Sequence, residues 1–187
     1  MSIPAVPKPD IPAFMDKVIV QLQDILKANL SWLDYSFGRS QKLTTTKDSR
    51  PYIYPGVHVG NGEYVNVFPD DTLKNFSFFI IEDPQNLIVD LSQSKATVKY
   101  ALIIWVDLDV IFSGAKDRNS EAIKEQVLEV LATKTFLTIG RISVERVYEQ
   151  AENIYKGYNI KEIESQFLMQ PYYGFRFEGE LTYEKLC

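Results

Sequence analysis

The chain has 187 residues, 45% hydrophobic and 13% aromatic, which is enough for one domain with a sizeable core. Its 20 basic and 25 acidic residues give a formal net charge of -5, which excludes a domain-wide basic footprint and tight nonspecific binding to nucleic acid. The only cysteine, Cys187, excludes an internal disulfide, and the longest apolar run, Tyr100 to Val106, is far too short to cross a bilayer.

The first residues, MSIPAVPKPDIP, hold no apolar run and no cleavage pattern, so no secretory leader is expected. A soluble protein made inside the cell is expected. Three prolines within residues 1–10 predict an extended N-terminal arm, ordered against a partner. Ile11, Phe14, Met15, Val18, Leu22, Ile25, Leu26 and Leu33 recur at helical spacing, predicting a helix over about 11–30 with Asp10 as its cap and Pro12 in the first turn.

Arg39, Lys42, Lys47 and Arg50, opposed only by Asp48, read as a solvated hairpin or loop with a small basic patch. Tyr52–Tyr54, Val57–Val59 and Tyr64–Phe68 read as short strands, with Gly60-Asn61-Gly62 supplying the positive φ angles of a tight turn. Asn75–Ile81 is a near-continuous apolar strand. Lys95 to Phe112 is the strongest strand signal. One of its faces is apolar from Ala96 to Leu108; the other is apolar only in its middle and suits a central strand covered there by a helix. Unbroken, it would exceed about 45 Å, so it bends or projects as a β-arm.

A second helix is expected from Asn119 or Ser120 to about Thr133, with Ile123, Val127, Val130 and Leu131 as its buried stripe. Ile142–Tyr148 reads as a strand, with a short helix over 142–153 as the alternative, and 159–164 as a helical turn. In Tyr172–Glu184 an aromatic face alternates with a charged one, and Arg176, Glu178 and Glu180 are expected on the wet side. The fold class is therefore α+β. A mainly antiparallel curved sheet carries an N-terminal helix and a second helix on one face, plus a β-hairpin arm, in one domain over 11–187 with residues 39–71 as a hairpin or loop insertion.

No familiar active site is legible. Nucleophilic catalysis needs a base beside the nucleophile, and the single histidine, His58, sits next to a turn with no Gly-x-Ser-x-Gly elbow nearby. Zinc needs more Cys and His than the chain holds. Gly60-Asn61-Gly62 lacks the Lys-Ser/Thr of a phosphate loop. Acidic side chains are the remaining option. Asp107 and Asp109, two apart on a strand, would share a face and with Asp70 and Asp71 would suit an Mg²⁺-dependent phosphodiesterase; the plain alternative is that they mark where the strand leaves the core.

The C-terminal run PYYGFRFEGELTYEKL, preceded by ENIYKGYNIKEIESQFLMQ, resembles the closing strand of phage tail-terminator (tail-completion) and related head–tail neck proteins. RPYIYPGVHVGNGEYVNVFPDD resembles the corresponding part of virion proteins from phages and prophages. The helix at 11–30, strand at 95–112, helix at 120–133 and strand at 172–184 match that family's element order, and the insert from Arg39 to Asp71 goes beyond its minimal pattern.

The resemblance implies a structural virion protein without catalysis or cofactor. Its copies would form a ring at the tail end or neck, contacting other neck, tail-tube or portal-side proteins, and DNA would pass through the lumen unbound. It would be made in the host cytoplasm and carried in the virion, with no membrane contact. Abundant Tyr and Phe suit permanent interfaces; Arg39, Lys42, Lys47, Arg50, Tyr52, Tyr54 and Tyr172 are the expected interface residues. The alternative is a non-viral scaffold or binding domain.

Overall fold

Apolar residues at helical spacing give α1 (Met15–Asn29), whose Met15, Val18, Ile19, Leu22 and Leu26 are buried. The computed structural model describes residues 3–47, 49–89, 93–113, 119–135 and 137–186. α1 begins later than its sequence pattern predicts. Asp10 does not cap it; Phe14 takes the cap position at φ 52° with no side-chain cap. The preceding segment is instead held extended along the body of its own chain, where Ser36 N donates to Ala5 O at 2.8 Å and Gln23 Nε2 to Pro7 O at 2.8 Å.

The other elements follow in order: β1 (Tyr35–Lys47), β2 (Arg50–Gly60), β3 (Glu63–Asn66), β4 (Phe76–Ile81), β5 (Asn86–Val89), β6 (Gln93–Asp107), α2 (Leu108–Ile111), α3 (Ser120–Glu129) running into a π-helical turn (Val130–Lys134), β7 (Gly140–Ile142), β8 (Arg146–Tyr148), α4 (Ala151–Ile154), two 3-10 turns (Ile160–Glu162, Ser165–Leu168) and β9 (Tyr172–Leu186). The fold is α+β. Among the described residues the nine strands form one open, largely antiparallel sheet, ordered β3-β2-β1-β4-β6-β9-β7, with β5 on β6 and β8 on β9. Among the described strands only β1 and β4 pair in parallel.

β6 and β9 are the spine. They pair without a break from Gln93↔Leu186 to Asp107↔Tyr172, a ladder of about 50 Å at about 3.3 Å per residue. One face of the spine (Ala96, Val98, Leu102, Ile104, Val106, Phe175, Phe177 and Leu181) packs against α1 and α3. The opposite face (Ala101, Ile103 and Trp105) is covered by Ile154, Tyr155, Ile163 and Phe167 from α4 and the 3-10 turns. Burial on both faces explains the unbroken apolar run 100–106. Gly174 and Gly179 of β9 permit close approach, since a Cβ on Gly174 would collide with the Trp105 ring and one on Gly179 with Ser143 O.

Two expectations are corrected here. β6 stops at Asp107 and does not reach Phe112, because the Asp107 carboxylate accepts hydrogen bonds from Asp109 N (3.0 Å) and Val110 N (3.4 Å) and turns the chain into α2. Arg176 is not on a wet face. It is 2% exposed, under the 151–168 segment.

Candidate functional site

β1 and β4 run side by side only from Tyr35↔Phe76 to Arg39↔Phe79. Beyond Arg39, β1 takes β2 as its partner, from Ser40↔Val57 to Lys47↔Arg50, and leaves β4. Next to the Arg39↔Phe79 pair the Ser40 hydroxyl donates to Phe79 O at 3.1 Å. The two parallel strands thus splay at their carboxyl ends, and a cleft of about 1030 Å³ opens between them.

The cleft is lined by charges of both signs. Arg39, Lys42 and His58 come from β1 and β2, and Lys156 from the turn after α4; Asp10, Asp16, Glu82 and Asp83 line the side formed by the N-terminal segment, α1 and the end of β4. Burial pushes the Asp16 carboxyl up, and the Arg39 guanidinium partly offsets this. Lys42 Nζ lies 5.7 Å from the centre of the Tyr158 ring. Burial raises the Tyr158 phenol, against the opposing effects of a hydrogen bond with Ser40 and the charge of Arg176.

Two buried polar side chains hold this region together. Arg176 donates from Nη2 to Glu82 (2.7 Å), from Nε to Glu178 (2.6 Å) and from Nη1 to Ile154 O (3.3 Å), so one guanidinium joins β9, the end of β4 and α4. Gln23 donates from Nε2 to Pro7 O and Ser36 O, fixing the N-terminal segment over β1, while its Oε1 is buried without a partner. Gly38 lies directly beside that oxygen; a Cβ there would stand 3.2 Å from it.

The expected interface residues fall in three places. Arg39 and Lys42 meet at the cleft. Arg50 is exposed at the β1–β2 turn, and of Lys47 only the backbone lies among what is described. Tyr52 and Tyr54 stack at 5.3 Å on β2, half-buried against the second core, and Tyr52 OH accepts from Asn66 Nδ2. Tyr172 is at the far end of β9, against Phe167 at 5.0 Å.

Of the four acids weighed for metal chemistry, Asp107 caps α2, and Asp70 Oδ1 accepts from Thr72 N, Thr72 Oγ1 and Leu73 N. Burial raises the Tyr172 phenol, and the charges of Asp107, Asp71 and Asp109 add to this, which brings these three acids into one neighbourhood. Among the described residues no group of three or more His, Cys, Asp or Glu is arranged to hold a metal ion. His58 packs edge-on against Tyr64, its partner across the β2–β3 turn, at 5.5 Å.

A second surface was missed in the sequence. Leu87, Ile88 and Val89 of β5 are 57%, 53% and 71% exposed, although β5 pairs with β6 from Asn86↔Thr97 to Val89↔Ser94. Three consecutive apolar residues between Asp83-Pro84 and Asp90 were the signal. Among the described residues no helix is long and apolar enough to cross a membrane. No family model matches the chain, and no curated protein matches it.

Proposed function

We propose that the protein is a structural component of a tailed-phage or prophage particle, its copies closing into a ring at the tail end or head–tail neck. The observation that carries the proposal is the ribbon at one end of the spine. There the sheet is four strands wide, and its rows run Leu87–Ala96–Tyr183–Gly140 and Asn86–Thr97–Thr182–Arg141. β5 and β7 are its two outer strands, and β5 presents an exposed apolar side. Such edges are normally blunted by charge or proline unless another chain covers them.

The strand directions suit repetition. β5 opposes β6, β6 opposes β9 and β9 opposes β7, so a second copy rotated about an axis along the spine sets its β5 antiparallel to the first copy's β7. The contact is heterologous and closes into a ring when the rotation divides a full turn. Asp83 before β5 and the exposed Arg141 and Arg146 on the opposite side carry opposite charges that favour this register. The long β6–β9 ladder and the β1–β2 hairpin then serve as a curved wall and an arm toward neck, tail-tube or portal-side proteins. A net charge of -5 suits a lumen through which DNA slides. The resemblance of the C-terminal run to tail-terminator proteins is what suggests a phage particle.

Cysteines at positions 86 and 141 test it, in a chain whose Cys187 is replaced by serine. Oxidation of Asn86→Cys/Arg141→Cys on purified particles is expected to give a ladder of covalent multimers ending at a closed ring. A chain absent from particles, or present there as monomers only after oxidation, overturns the reading.

A further inference from the structure

We propose that the cleft between β1 and β4 is a binding site for an extended polypeptide strand contributed by a partner protein, held by main-chain hydrogen bonds and by the charges of both signs that line it. This inference goes beyond the ring and stands on different residues.

The backbone supplies the first argument. Successive residues of a strand turn their N–H and C=O to opposite edges. Glu82 N donates to Lys99 O on the β6 side, so Ile81 turns its own N–H and C=O the other way, into the cleft. β1 no longer pairs there, having left β4 after Arg39. Ile81 is half-buried and lies against the first core cluster, so the edge it offers is backed by packed structure. A strand entering the splay meets an open edge of β4, the arrangement by which sheets capture peptides.

The walls supply the second argument. Arg39, Lys42 and Lys156 line the same cleft as Asp10, Asp16 and Asp83, while Glu82 is held by Arg176. Nucleic acid calls for uniform positive charge. A peptide offers both signs of side chain together with the donors and acceptors of its main chain, which matches a two-signed cleft. Its acidic side chains would lie toward Arg39 and Lys42. At about 1030 Å³ the space is just above the roughly 300–1,000 Å³ typical of small-ligand pockets, and its walls come from both faces of the sheet. Gln23 of α1 adds an unmet acceptor next to Gly38, and both residues line the same space.

The test begins with selection of displayed linear peptides of about ten residues on the full-length chain, followed by calorimetry with the synthetic winners. Enriched peptides carrying acidic residues are expected. N-methylating them one position at a time is expected to weaken binding about tenfold at alternate residues only, the loss of one main-chain hydrogen bond each time. The folded Arg39→Glu/Lys42→Glu variant, checked by circular dichroism, is expected to lose these peptides and to select basic ones. The proposal is overturned by any of three results: no enrichment, binding insensitive to N-methylation, or equal affinity for the charge-reversed variant.

Discussion

Arg176 Nη2 lies 2.7 Å from Glu82 Oε1, tying the middle of β9 to the end of β4 although the spine strand β6 runs between them. The guanidinium is buried, whereas Glu82 retains 41% side-chain exposure and Glu178 22%. The two ends of each pair are therefore unequal.

Removing both carboxylates strands a buried cation. Glu82→Gln/Glu178→Gln is expected to lose about 3–5 kcal/mol in urea unfolding. Arg176→Met is expected to lose less, because the carboxylates it leaves can reach water and the methionine fills most of the space. Equal losses would show that the cation is not the member at risk.

Gln23 is the pin of the N-terminal segment. Gln23→Leu leaves Pro7 O and Ser36 O without their donor, at about 1–3 kcal/mol for each buried group. Hydrogen exchange gives a local readout: the Ser36 amide, which donates to Ala5 O, is expected to exchange faster in the variant than in the parent. Unchanged protection there would mean that the segment is held elsewhere.

Asp107 and Asp109 look equivalent in sequence and are not equivalent in the fold. Asp107→Ala removes an N-cap and is expected to lower stability by about 1 kcal/mol. Asp109→Ala is expected to be near neutral, since that side chain is exposed in the first turn of α2. Thermal melts with and without Mg²⁺ check the rival assignment; a metal pair predicts a Mg²⁺-dependent rise in the parent that both variants abolish.

Three phenols set an alkaline limit. Burial holds the Tyr155 hydroxyl well above its ordinary pKa of 10.0, and raises Tyr100 and Tyr158 as well. The folded chain then keeps protons that the unfolded chain releases above about pH 10, so unfolding is favoured as pH climbs past that point. Below it these groups contribute no slope. Tyr155→Phe is expected to flatten part of the alkaline loss while giving up one hydrogen bond to Val67 O. An unchanged slope in pH-dependent denaturation would place the proton release elsewhere.

Local pattern carried much of the fold. α1, α3, β4, β6 and β9 stand close to where periodicity puts them, because each has a face or a run whose burial is set by its own residues. What was illegible depends on distant partners. β1 passes through Arg39, Lys42, Thr44, Thr45 and Thr46; the sequence left hairpin and loop open there, and the structure makes it a hairpin because the strand owes its form to pairing with β2 and β4. Val57–Val59 merged with Tyr52–Tyr54 into one strand across Pro55, at a point where β2 has no strand partner in β3. Arg176 was assigned to water because the polar 151–168 segment gave no sign that Ile154, Tyr155, Ile163 and Phe167 would cover that face. Of the candidate cleft, the cations Arg39 and Lys42 were legible. Its acidic residues were not, since Asp16 and Asp83 meet only through the splay of two strands.

The β6–β9 ladder also bears on how the chain reaches its native state. Gln93 must find Leu186 and Asp107 must find Tyr172, pairs distant along the chain, and such non-local closure slows folding. During synthesis β6 emerges well before β9, with β4 and β5 available on one edge and nothing yet on the other. Until β9 leaves the ribosome, the apolar run 100–106 of β6 presents an unpaired edge, and that interval is when the chain is most exposed to aggregation.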